Sequence, residues 1–166
     1  MFWDKTPEDT ETRVIEIREG KAEIFIHAPP EKVWEVISDV RNYDKWAKFF
    51  KADVPENLER VEKAGDYIYY DASFMGIPFK GKVVSIERIP PQRSAFYLLS
   101  AYRGGGEYLL EPIVNGTRVH YTIWSEIPSS YLGKVIDRVL LANHVQTQMR
   151  DHLERLKAYT EGKSLS

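Results

Sequence analysis

The chain has no cysteine in its 166 residues. Disulfides and thiolate metal sites are therefore excluded, and a thiol-free chain fits a reducing compartment. It also lacks an excess of either charge: 23 Lys and Arg stand against 25 Asp and Glu, a formal net charge of -2. With no basic run, that balance gives no general pull toward nucleic acid or anionic membrane. Apolar runs are short, far below the ~20 residues that cross a bilayer. The opening "MFWDKTPEDTETR" is polar after its third residue and does not read as a signal peptide. Motifs of hydrolytic and metal chemistry are missing as well. There is no HExxH, and His144 and His152 are eight apart, the wrong helical spacing for a shared metal. No GxSxG occurs. "RGGGEY" lacks the Lys-Ser/Thr of a phosphate loop and reads as a hairpin device. The expectation is a cytoplasmic protein with no cofactor, no metal, no nucleic-acid partner and no integral membrane segment. Its oligomeric state stays open.

What is present is apolar and aromatic. The chain is 43% hydrophobic and 13% aromatic, with ten Tyr and four Trp. Such side chains join large apolar area to a polar tip, and suit surfaces that are half core and half binding site. Residues 1–11 read as a flexible tail and 12–160 as a single domain. "TRVIEIREGKAEIFIHA" alternates with period two, a strand with a possible kink at Gly20. Pro29 and Pro30 end it, and "PEKVWEVIS" opens a helix with Glu31 at its positive end. "NYDKWAKFF" reads as a second short helix. From Asp53 to Ile127 the pattern is strands, beginning with a polar, edge-like "NLERVEKAG" and including a hairpin at Asn115-Gly116. Hairpin-length links imply an antiparallel meander. Residues 129–159 read as one long amphipathic helix whose stripe carries Val135, Val139, Ala142, Gln146, Met149, Leu153 and Leu156.

The order is strand, two short helices, meander, long helix. The segment "IFIHAPPEKVWEVISDVRNYDKW" resembles the opening signature of the START-related, polyketide-cyclase and plant-allergen superfamily (SRPBCC). Its features are a strand, prolines, an acidic residue, Val-Trp, then Asp, an aromatic and Trp. The resemblance covers nearly the full length. It implies an α+β helix-grip fold, with a curved antiparallel sheet of about seven strands around the C-terminal helix. It also implies an internal cavity for a hydrophobic ligand, lipid or polyketide-like. Members of the superfamily include lipid and sterol carriers, hormone receptors and aromatase/cyclases. Binding or carriage is the leading expectation. A metal-free cyclase or dehydratase is the first alternative, and a protein-interaction module with a filled core the second.

Alternation selects the candidate lining. Tyr70 and Phe74, Phe79 and Val83, Tyr108 and Leu110, and Tyr121 and Ile123 take the inward positions of their strands. The helix adds Val139, Ala142, Gln146 and Met149, and Trp46 stands either as a cap over the mouth or, as its place favours, as an anchor of the short helices. In "SAFYLLSAY" both faces are apolar, so the register there stays open. Inward tyrosines need hydroxyl partners, which a cavity holding water or a polar ligand group supplies. Gln146, an amide inside an apolar stripe, needs one too, at about 1–3 kcal/mol if unmet. Asp71 points outward in this register, and a slip of one residue would bring it inside. No acid/base pair is identifiable.

Overall fold

The computed structural model describes residues 15–48, 50–74, 77–100, 103–128 and 138–165, leaving aside the side chains of 15–18, 74, 77, 79, 127, 128 and 138–141. Seven antiparallel strands form one sheet: β1 (Ile15–Ile26), β2 (Phe50–Asp53), β3 (Tyr67–Phe74), β4 (Ile77–Ile89), β5 (Arg93–Leu99), β6 (Arg103–Ile113) and β7 (Gly116–Pro128). The spatial order is β1-β7-β6-β5-β4-β3-β2, so a meander runs from β2 to β7 and β1 closes on its last strand. Helix α1 (Pro30–Ser38) and a 3-10 helix (Val40–Lys45) follow β1, and α2 (Arg138–Thr160) lies against the sheet. The architecture is the helix-grip α+β fold.

Several local expectations change. β1 is one continuous strand through Gly20, paired with β7 over its whole length. Gly20 is needed for another reason: a Cβ there would stand 2.5 Å from the Met149 sulfur, so its absence lets α2 approach the sheet. Of "NYDKWAKFF", only the first residues are helical. The 3-10 turn stops at Lys45, and Phe50 already belongs to β2. "NLERVEKAG" is not a strand but part of the connection between β2 and β3. Asp66 there accepts the amides of Glu62 and Lys63 and so folds the chain into a turn. The long helix is described from Arg138 onward, and its expected first turns, like the 1–11 tail, lie outside the described residues. The β6–β7 hairpin forms as read, with Asn115 in the left-handed region at φ 65°.

Both sheet edges are covered. β2 is only four residues long, and Asp44 accepts the amide of Ala52. Along β1, helix α2 hands side chains to the free backbone. Gln146 Nε2 donates to the Lys21 carbonyl at 2.9 Å, Lys157 Nζ donates to the Phe25 carbonyl at 2.6 Å, and Glu161 accepts the His27 amide at 2.8 Å. These contacts block the addition of a further strand. The packed core lies toward the C-terminal half of α2. There Leu153 and Leu156 meet Ile26, Leu110, Val119, Val33, Trp34, Ile37 and Trp46.

Candidate functional site

Between the concave face of the sheet and α2 lies a partly open cavity of about 240 Å³. Its walls are mostly apolar: Ile37, Val40, Ile68, Val83, Phe96, Leu98, Ile123 and Met149. Across those walls runs one polar rung of the sheet. Arg88 on β4 pairs with Ser94 on β5, Ser94 with Tyr108 on β6, and Tyr108 with Tyr121 on β7. All four residues line the cavity. From the helix, His152 closes the rung, its Nε2 2.6 Å from the Tyr108 hydroxyl. Tyr121 stacks on both neighbours, with centroids 4.7 Å from Tyr108 and 5.0 Å from His152.

Burial sets the protonation states. It lowers His152 to about 4, with Arg155 adding to the effect, so the imidazole is neutral at pH 7. Burial also raises Tyr108 well above the ordinary phenol value, with Tyr121 and Tyr43 contributing, and it raises Tyr121 with help from Tyr43. Tyr43, whose hydroxyl donates to the Ile37 carbonyl, is pushed up to about 12 by burial. Arg88 is the one cation on the described wall. Its Nη1 donates to Ser94 Oγ at 2.8 Å, its Nη2 donates to Ser38 Oγ, and its guanidinium lies 4.2 Å from the Trp34 ring centroid. No carboxylate pairs with it among the described residues. Its Nε and the Ser85 hydroxyl are buried with no protein hydrogen-bond partner. Two donors or acceptors thus remain for a bound polar group, each costly to leave unmet.

The structure places five of the expected lining residues on the cavity: Val83, Tyr108, Tyr121, Ile123 and Met149. Others lie elsewhere. Trp46 is fully buried as an anchor, packed on Tyr43 and His152 rather than capping a mouth. Tyr70 stacks on Phe50 at 4.8 Å, and its ring crosses over Gly81, where a Cβ would meet its hydroxyl. Leu110 belongs to the packed core. Ala142 is exposed. Gln146 is spent on the β1 edge, so its amide has the partner that its place in the stripe demanded. The side chains of Phe74, Phe79 and Val139 lie outside the described residues. Asp71 is outward, paired with Lys80 at 3.6 Å. The register left open in β5 resolves with Phe96 and Leu98 inward and Tyr97 and Leu99 exposed.

Arg88, Ser94 and His152 were not expected at the site, whereas Ser85 takes the inward position that its alternation with Val83 implies. Ser85 and Arg88 are three apart, which in a regular strand puts them on opposite faces. A bulge between Ser85 and Glu87 shifts the register and turns both inward. His152 had a legible signal, since it lies three residues after Met149, on the same side of the helix. Among the described residues no group of three or more His, Asp or Glu can hold a metal, and no helix is long and apolar enough to cross a membrane.

The chain belongs to the polyketide cyclase / dehydrase and lipid transport family, whose model matches residues 18–161. Solved structures agree on the fold. The protein TTHA0849 from Thermus thermophilus superposes with a TM-score of 0.72 at 22% identity, covering 87% of this chain and 98% of its own. An aromatase/cyclase, Zhui from Streptomyces sp. R1128, gives 0.66 at 17% identity, over 88% and 94%. Ara h 8.0201 gives 0.64 at 10% identity, over 89% and 100%. These likenesses show that the chain shares the fold that the resemblance of its opening segment implies. No curated protein matches the chain significantly.

Proposed function

We propose that the protein binds and carries a hydrophobic small molecule, lipid or polyketide-like, in the cavity between sheet and α2. The observation that supports this most strongly is the cavity's composition: mostly apolar walls crossed by a polar rung from Arg88 to His152, with Asp66, Ser73, Ser85 and Gln148 as the further polar lining. A ligand with a large apolar body and one or two oxygen functions matches it. The body displaces water from the walls, and the oxygens meet Arg88 Nε, Ser85 or the tyrosine hydroxyls. The hollow also weighs against a filled-core interaction module.

A cyclase- or dehydratase-type reaction is the second reading. It draws on the Tyr108–His152 hydrogen bond and on the likeness to an aromatase/cyclase. Proton transfer works best when the catalytic pKa lies near working pH. A His152 at about 4 and a Tyr108 well above the ordinary phenol range both sit far from neutrality. Carriage is therefore the stronger reading for the unliganded site. Val83→Phe tests it, by placing a ring in the hollow. Titration with a fluorescent apolar probe such as N-phenyl-1-naphthylamine should show saturable binding to the parent protein and at least tenfold weaker binding to the variant. Equal binding by both would remove the cavity from the proposal.

A further inference from the structure

The convex face of the sheet divides in two. Across the half that carries Arg93, Leu109 and His120, the charges are matched. Arg93 pairs with Glu87 and Glu107, and Glu111 receives both Arg118 and His120. Across the other half the face is aromatic. One rung runs Tyr67, Val84, Tyr97, Gly105, Trp124, and the next runs Tyr69, Lys82, Leu99, Arg103. Tyr69, Tyr97 and Leu99 are 49%, 45% and 46% exposed. The Trp124 indole lies across Gly105, where a Cβ would come within 3.0 Å of its Nε1, and Tyr97 meets it edge-on. The ring therefore lies along the sheet instead of projecting from it. Lys82 has no carboxylate partner among the described residues, and its ammonium rests 3.8 Å from the Tyr67 ring centroid.

An outward sheet face in water is normally polar. Clustered Tyr and Trp are the composition of a protein interface core, and an unpaired Lys82 beside them is suited to its charged rim. Trp124 lies along the sheet while Tyr97 stands edge-on to it and Tyr67 meets Tyr69 edge-on, so the patch offers ring faces and edges with phenol hydroxyls to a second protein surface. The charges indicate which protein. Lys82 stands on β4 and Glu126 on β7, one strand outside the β5–β6 pair on either side. Arg103 extends the rung of Lys82 and binds Glu126 at 3.2 Å. A two-fold axis running along the strands between β5 and β6 exchanges β4 with β7. It lays Lys82 of each copy against Glu126 of the other and brings the Val84 and Trp124 positions together. Such self-complementarity is what an isologous interface requires.

We propose that this face is a homodimer interface, in which Lys82 of one copy joins the Arg103–Glu126 pair of the second. The cavity opens on the opposite, concave face, so the dimer leaves it accessible.

The test is light scattering and sedimentation equilibrium over a concentration series. The parent protein is expected to sediment as a dimer, twice the 19.3 kDa chain mass. Lys82→Glu should weaken dimerisation roughly tenfold or more, while the exchange Lys82→Glu with Glu126→Lys restores most of the loss. Leu99→Glu, at the centre of the patch, should give monomer with unchanged probe binding. All three positions are on the surface, and a melting curve checks that each variant folds. A parent protein that stays monomeric throughout overturns the proposal, whether a different protein or a lipid vesicle then binds the face. So does a dimer indifferent to Lys82→Glu. Because probe binding is read separately, a failure here leaves the carrier reading standing, and the reverse also holds.

Discussion

One helix, α2, meets one sheet in two different ways. Toward its C-terminus, Leu153 and Leu156 pack with Ile26, Val119 and Leu110 in one buried cluster that also holds Trp34 and Trp46. One turn before Leu153, Met149 meets the hollow that Ile123 and Phe96 also line, and His152, stacked on Tyr121, stands at its border with the packed half. The difference comes from residue choice on matching rungs. The filled half is aliphatic and indole. The hollow half keeps mostly apolar walls but carries the rung of serine, phenol, imidazole and guanidinium, whose polar groups bond one another across it. Tight packing at one end lets the other end stay open without losing the fold.

Breaking the filled half should have the largest effect. Trp46→Ala is expected to cost about 3–5 kcal/mol in chemical denaturation, because it removes a fully buried indole from the core and from its contact with His152. Leu156→Ala follows at about 2–5 kcal/mol. If Ile123→Ala on the hollow side cost as much, the contrast between the halves would not stand.

Acid sharpens the same contrast, since each half carries its own titrating group. His152 titrates at about 4 when folded and near 6.5 when unfolded. The unfolded chain binds the proton more readily, so stability is full above about 6.5 and falls as pH drops toward 4. The loss is on the order of 3 kcal/mol. His152→Gln should flatten that window. At the filled end, Glu161 behaves in a lower one. Burial alone would raise its carboxyl, but the His27 amide, Lys163 and Lys157 outweigh it and hold it at about 2. Its contribution is present above the unfolded value of 4.5 and is lost as pH falls from there toward 2. Melting curves of the parent, His152→Gln and Glu161→Gln proteins between pH 7 and 3 separate the two windows.

Smaller effects follow from single hydrogen bonds. Tyr108→Phe leaves His152 Nε2 without its phenol and should cost about 1–3 kcal/mol while changing probe affinity. Gln146→Leu removes one cap from β1 and should cost about 1 kcal/mol with no change in probe binding. A large binding defect in Gln146→Leu would place that amide at the ligand after all.

Most of the fold was readable because period-two alternation, the Pro29-Pro30 stop and the Asn115-Gly116 turn all act locally. The inward faces of β6 and β7 were readable for the same reason, and with them Tyr108, Tyr121 and Ile123. Arg88 was hidden by the bulge at 85–87, which breaks the alternation that any register inference depends on. Gln146 misled because an apolar stripe on a helix crosses a sheet edge as well as a sheet face. Its partner is a backbone carbonyl 125 positions away, which no local pattern reports. His152 was passed over as one of a metal pair with wrong spacing, although its place beside Met149 already marked the wall.

Native mass spectrometry of freshly purified protein, followed by denaturing extraction, tests the hollow half most directly. The expected spectrum shows the 19.3 kDa chain carrying a small molecule of defined mass, which the extract yields as a largely apolar compound bearing one or more oxygens. Val83→Phe protein, prepared in parallel, should arrive without it. A bare chain in both preparations, together with no saturable uptake of apolar probes, would contradict the carrier reading.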